Sequence, residues 1–106
     1  MNRYLMIESR DPFESVDATR WCELAVELKH AGHEVALFLV QDGVFPARHG
    51  ARRDGIEQAL RAGVEVYADE FSLRERGIET PSRGVKAAPI EIVIDHMAAG
   101  WSPVWH

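Results

Sequence analysis

Residues 35–40 read VALFLV, six apolar residues in a row that follow Gly32-His33-Glu34 and run into Gln41-Asp42-Gly43. A continuous apolar run of strand length, bounded by turn residues, predicts a strand covered on both faces, as in a parallel sheet between helices. A weaker copy stands at Arg3–Glu8 (RYLMIE), where Tyr4 to Ile7 are all apolar. Between the two runs, Pro12 and its polar neighbours predict a loop, and Ser15 or Asp17 can cap a following helix. Ala18, Trp21, Cys22, Ala25, Leu28 and Ala31 then recur at steps of three and four, which gives one apolar helical face. Gly32 suits the left-handed position that ends such a helix. The result is a strand-helix-strand unit.

The same alternation continues along the chain. Gln41–Gly50 reads as a loop. A second helix is expected over about 51–62, with Ile56, Ala59 and Leu60 inward and Gly63 closing it. A third strand follows at 64–68, a short helix at 70–76, and a short strand at 84–87 beyond the Pro81–Gly84 turn. PIEIVIDHMAAG (89–100) alternates like a strand at Ile90, Ile92 and Ile94. Pro89 and Gly100 nevertheless sit where helix ends favour them, and Ile90, Val93, Ile94 and Met97 share one helical face, so helix is the preferred reading. A last strand is expected at 102–105. Five strands alternating with four helices predict a three-layer α/β/α sandwich on a five-stranded, mainly parallel sheet, formed by residues 1–106 as a single domain.

The bulk composition narrows the function. The chain of 106 residues is 46% hydrophobic and 27% charged, with a formal net charge of -5. An acidic balance argues against a general nucleic-acid binder. Cys22 is the one cysteine, so no intrachain disulfide can form and a reducing cytoplasm is the expected location. The apolar run Tyr4–Ile7 is too short for a signal-peptide core or a membrane span. The five histidines lack metal-ligand spacing, and no motif points to a cofactor.

In open parallel sheets ligands bind beyond the carboxyl ends of the strands. Those ends carry Ser9-Arg10-Asp11, Gln41-Asp42-Gly43 and Asp69-Glu70, which makes Ser9, Arg10, Asp42, Gly43, Asp69 and Glu70 candidate binding residues around a polar rim. Asp42-Gly43 is equally a turn signal. Asp69 has three readings: a helix cap, a ligand holder, or a general base if desolvation raises its pKa. The capping reading is favoured by its setting. Glu70 lies in the next turn, Arg74 and Arg76 lie in the last, and Gly77 follows the end. Arg48, Arg52 and Arg53, with His49, gather near the start of the second helix, where positive charge opposes the helix dipole; they form a candidate anion site or a solvated face. Cys22 falls on the apolar face of the first helix and is expected to be a small buried hydrophobe. Trp21, Trp101 and Trp105 are candidate interface anchors, with packing on the chain's own sheet as the alternative for the last two.

Two segments carry a family resemblance: AGHEVALFLVQDGV (31–44) and GVEVYADEFSLRERGI (63–78), with PIEIVIDHMAAGWSPVWH (89–106) fitting as the ending. Over nearly its whole length the chain resembles the DsrE/DsrF-like proteins of sulfur metabolism. The resemblance implies a five-stranded parallel sheet, assembly into homotrimers or hexamers, sulfur-relay partner proteins, and handling of sulfur as a cysteine persulfide. In active members the third strand ends in the cysteine that carries the sulfur, eight residues before the glycine of an Arg-Gly pair. Here that pair is Arg76-Gly77 and the matching position is Asp69; a second cysteine position, three residues on, is Ser72. Neither side chain can hold a persulfide, which needs a thiolate. The resemblance therefore implies a non-catalytic assembly or binding subunit. The alternatives are a small-molecule binder or enzyme using Asp42, Asp69 and Glu70, and sulfur transfer through Cys22.

Overall fold

The computed structural model describes residues 2–11, 16–51 and 53–106. Along the chain run β1 (Arg3–Glu8), α1 (Val16–His30), β2 (Glu34–Leu39), a 3-10 helix (Gln41–Ala47), α2 (Asp54–Arg61), β3 (Glu65–Asp69), α3 (Glu70–Glu75), β4 (Val85–Ala88), α4 (Glu91–Ala98) and β5 (Ser102–Trp105). The strands form one sheet in the order β4-β3-β2-β1-β5, and every neighbouring pair is parallel. The expected α/β architecture is therefore present, with a wholly parallel sheet.

The apolar runs work as two-faced strands. Met6, Val35, Leu37, Leu39, Val66 and Ala68 pack on one side of the sheet with Cys22 and Ala25 of α1, Ile56 and Ala59 of α2 and Leu73 of α3. Leu5, Ile7, Ala36, Phe38 and Val40 point the other way, where Ile92 and Val93 of α4 and Trp101 cover them. Consecutive strand residues alternate between the two clusters, as strand geometry requires. Complete burial of a side chain such as Phe38 or Leu5 is worth about 1.5–3 kcal/mol.

Several boundaries differ from the sequence expectation. The stretch expected as a loop after β2 winds into a 3-10 helix containing Gly43 and Pro46. Pro46 has no amide to donate, which a short element of this kind tolerates better than an α-helix interior does. α2 starts at Asp54 rather than near 51, with Arg53 at its N-cap. α1 begins at Val16, so Asp17 stands inside it rather than before it, and Ser15 lies outside the described residues.

The ending 89–100 is helical, as preferred, and Gly100 follows α4 with φ 92°. Pro89, however, stands before the N-cap Ile90 rather than in the first helical position. Of the apolar stripe that marked this helix, Ile90, Ile94 and Met97 are exposed, and only Val93 turns toward the sheet, together with Ile92 and His96. No helix among the described residues is long and apolar enough to cross a membrane.

Candidate functional site

β3 runs directly into α3, so Asp69 is both the last strand residue and the N-cap of the helix. Its carboxylate is 5% exposed and points inward. Oδ2 accepts from the Ser72 amide at 3.0 Å and from the Ser72 hydroxyl at 2.7 Å. The Ser72 oxygen in turn accepts the Gln41 amide at 2.8 Å, which ties the end of β2 to the start of α3. Gln41 holds φ 55°, a left-handed value uncommon outside glycine, and this bond helps fix it there. Asp69 is thus the N-cap expected from the sequence, buried in a bonded relay.

The rim carboxylate of Asp42 is also engaged. Asp42 Oδ1 accepts from Arg76 Nη2 at 2.9 Å and Nε at 3.2 Å. The Arg76 guanidinium lies over the Phe45 ring, 5.7 Å from its centroid, and that of Arg48 lies 5.2 Å from the same centroid. Glu70 occupies the first turn of α3, where its charge complements the helix dipole. Ser9 donates from its amide at 3.0 Å and its hydroxyl at 2.9 Å to the His106 carbonyl. The rim residues named from sequence do not converge on one pocket.

A cleft of about 300 Å³ lies elsewhere on this rim, between α1, the start of α2 and the carboxyl ends of β1 and β2. Of the candidate residues, Arg10, Gly43 and Arg53 line it. Cys22 is also on its wall, joined by Glu8, Thr19, Asp54 and Gly55, which the sequence reading did not single out. Gly43 and Gly55 let the walls close up. A Cβ on Gly43 would overlap the Glu8 carbonyl oxygen, and one on Gly55 would stand 3.1 Å from Cys22 Sγ.

Glu8 is 3% exposed, yet both its oxygens are served: Oε1 accepts the Arg10 amide at 2.8 Å, and Oε2 lies 2.6 Å from His106 Nδ1. The signal for Glu8 was present in RYLMIE, as one acid closing an apolar strand. Arg53 pairs with Glu57 at 3.0 Å and also bonds the Ser82 hydroxyl. Of the expected anion residues, one stands at the start of α2 and one at the end of the preceding helix. Arg48 ends the 3-10 helix, Arg53 caps α2, and Arg52 lies outside the described residues.

Cys22 is 7% exposed, and its thiol is pushed up from 9.0 to about 12 by burial, then by the charges of Glu8 and Glu23. It stays protonated at neutral pH and is a poor nucleophile. Among the described residues, no group of three His, Cys, Asp or Glu side chains is placed to hold a metal ion.

The tryptophans divide. Trp101 packs on the chain's own sheet and edge-on to His96, with centroids 4.8 Å apart. Trp105 is 61% exposed. Trp21 stacks on the His106 ring at 5.2 Å, and its buried indole N–H has no acceptor among the described residues.

The DsrE/DsrF-like family model matches residues 2–102. The chain belongs to the DsrE/DsrF-like family. Solved structures with the same fold include the YchN protein of E. coli, at TM-score 0.90 and 18% identity over 100% of both chains. MTH1491 of Methanobacterium thermoautotrophicum, described as of unknown function, matches at TM-score 0.81 and 16% identity over 100% of both chains. BT1422 of Bacteroides thetaiotaomicron, described in the same way, matches at TM-score 0.77 and 15% identity, covering 97% of this chain and 94% of that one. At such identities these likenesses speak for the fold. No curated protein matches the sequence.

Proposed function

We propose that this DsrE-like chain serves intracellular sulfur metabolism as a binding or assembly subunit and does not itself carry sulfane sulfur. The observation that supports this reading is the engagement of Asp69. At the strand end matched to the family's reactive cysteine, the carboxylate is buried and accepts two hydrogen bonds from Ser72. Persulfide formation needs a thiolate nucleophile, and a carboxylate bonded in this way has neither the atom nor the freedom. The remaining thiol, Cys22, has its pKa raised to about 12.

Assembly with further copies of the chain is supported by α4. Ile90, Ile94 and Met97, spaced four and three apart, leave 47%, 64% and 50% of their surface exposed, and no residue of this helix is buried. Apolar surface of this kind on a helix is a common feature of interfaces. The neighbouring edge strand β5 carries Pro103, which has no amide to donate and so disfavours extension of the sheet by strand pairing.

The test is incubation of the purified protein with a sulfane-sulfur donor, followed by trapping of persulfides and intact-mass measurement. The expected result is an unmodified chain. A stable sulfur adduct on native protein would refute the non-carrier reading.

A further inference from the structure

The cleft beside β1 and β2 goes beyond that reading, because it shares no lining residue with the Asp69 relay. Its volume, about 300 Å³, lies at the lower end of the range for ligand pockets. Much of its wall is apolar, from Ala18 and Cys22 of α1, Leu39 at the end of β2 and Ile56 of α2.

The charges around it are unevenly committed. Glu8 has both oxygens engaged, by the Arg10 amide and the His106 ring. Asp54 is also engaged, and Arg53 is paired with Glu57. The guanidinium of Arg10 is exposed and has no ion-pair partner among the described residues.

One uncommitted cation beside an apolar hollow selects a particular class of ligand. An ammonium would find no carboxylate free to receive it. A doubly charged phosphate-type head would be repelled by Glu8 and Asp54, which line the same cleft. We infer that the cleft holds a small organic monoanion, an apolar body of a few carbons whose single carboxylate-type head is bound by Arg10. The body replaces water against Leu39, Ile56 and the protonated Cys22 thiol, and the head makes a charge-assisted bond with the guanidinium.

Titration of the labelled full chain with hexanoate, followed by amide NMR, tests this. Saturable shifts are expected at Arg10, Gly43, Gly55 and Ile56. Hexanol and inorganic phosphate should each bind at least about tenfold more weakly than hexanoate, as loss of a charge-assisted bond or an added repulsion requires. Arg10→Ala should weaken hexanoate by a similar factor. Thr19→Phe, an exposed change on the cleft wall that leaves Arg10 in place, should abolish hexanoate binding while circular dichroism and melting stay unchanged.

The inference is overturned if hexanoate gives no saturable shift at millimolar concentration, or if hexanol binds equally well. It is also overturned if phosphate binds more tightly, or if either variant binds like wild type. None of these outcomes depends on whether the chain carries sulfane sulfur, so the two readings fail separately.

Discussion

Replacing Asp69 by alanine removes the acceptor of two hydrogen bonds at one stroke. The Ser72 amide, 3.0 Å from Oδ2, becomes an uncapped donor in the first turn of α3, and the Ser72 hydroxyl, at 2.7 Å, loses its acceptor in a buried setting. Loss of an N-cap costs about 0.5–2 kcal/mol, and stranding a buried donor costs about 1–3 kcal/mol. The two overlap because they share one carboxylate oxygen, so the expected loss is about 2–3 kcal/mol. For a chain of this size that lowers the melting temperature by about 10–20 °C.

Asp69→Asn keeps an oxygen in the same place and a residue of equal capping preference, so it should cost less than about 1 kcal/mol. Asp42→Ala is the matched control. Its ion pair with Arg76 is half-exposed, and such pairs are worth about 0–1 kcal/mol. Urea unfolding of the three variants gives the order directly. If Asp69→Ala fell within about 0.5 kcal/mol of wild type, or if Asp42→Ala cost more, the capping account of Asp69 would be wrong.

Five other outcomes are expected. Native Cys22 should resist iodoacetamide at pH 7–8 and react on unfolding; raising the thiol from 9.0 to about 12 cuts its thiolate fraction about a thousandfold, and fast labelling of folded protein would contradict the burial. Above pH 9 the unfolded chain releases the Cys22 proton that the native chain retains, so stability should fall as pH rises toward 12. In Cys22→Ala the remaining alkaline loss should begin only near pH 10, where Tyr67, raised from 10.0 to about 12 by burial and its bond to Glu65, starts to contribute. Gly43→Ala should destabilise by about 1–3 kcal/mol in urea, because its Cβ meets the backbone of β1 and not a movable side chain. Ile94→Glu should shift native mass spectra toward monomer without lowering the melting temperature of the monomer, whereas a monomeric wild type would remove the assembly reading; Asp69→Cys, by contrast, should accept sulfur from a sulfane donor if it folds, and a folded, unlabelled variant would undo the match between Asp69 and the family cysteine.

Much of the fold was legible because each apolar run is short, continuous and bounded by polar or turn residues. VALFLV could bury itself only as a two-faced strand, and it does, with Val35, Leu37 and Leu39 on one side and Ala36, Phe38 and Val40 on the other. The 3-10 helix escaped because Gly43 and Pro46 read locally as breakers, while its packing depends on Val44, Pro46 and Ala47 being buried. For α4 the punctuation by Pro89 and Gly100 was informative, but periodicity could not say which apolar face would meet the sheet. Asp69 was readable as a cap because capping is local. The Glu8–His106 contact was not, since it joins residues 98 apart and exists only because β5 pairs beside β1. A cleft assembled from five elements, β1, α1, β2, the 3-10 helix and α2, has no local signature at all.

The two ends of the strands carry different burdens, and this explains how Asp69 can stand where the family resemblance expects a thiol. At the amino ends, helices return to the sheet through tight left-handed turns such as Gly32, with φ 94°, and these set where each strand begins. At the carboxyl ends the chain departs into a 3-10 helix after β2 and directly into α3 after β3, and the polar side chains there must satisfy their own hydrogen bonds. Asp69 does so by spanning α3 and, through Ser72, the backbone at Gln41. A cysteine there could make neither bond as well, since sulfur is a weak acceptor. The carboxylate and Ser72 together brace the end of β2 against the start of α3. Under the non-carrier reading proposed above, a residue at the tip of β3 serves either sulfur chemistry or this brace, and the two bonds to Ser72 are what Asp69 supplies to the brace.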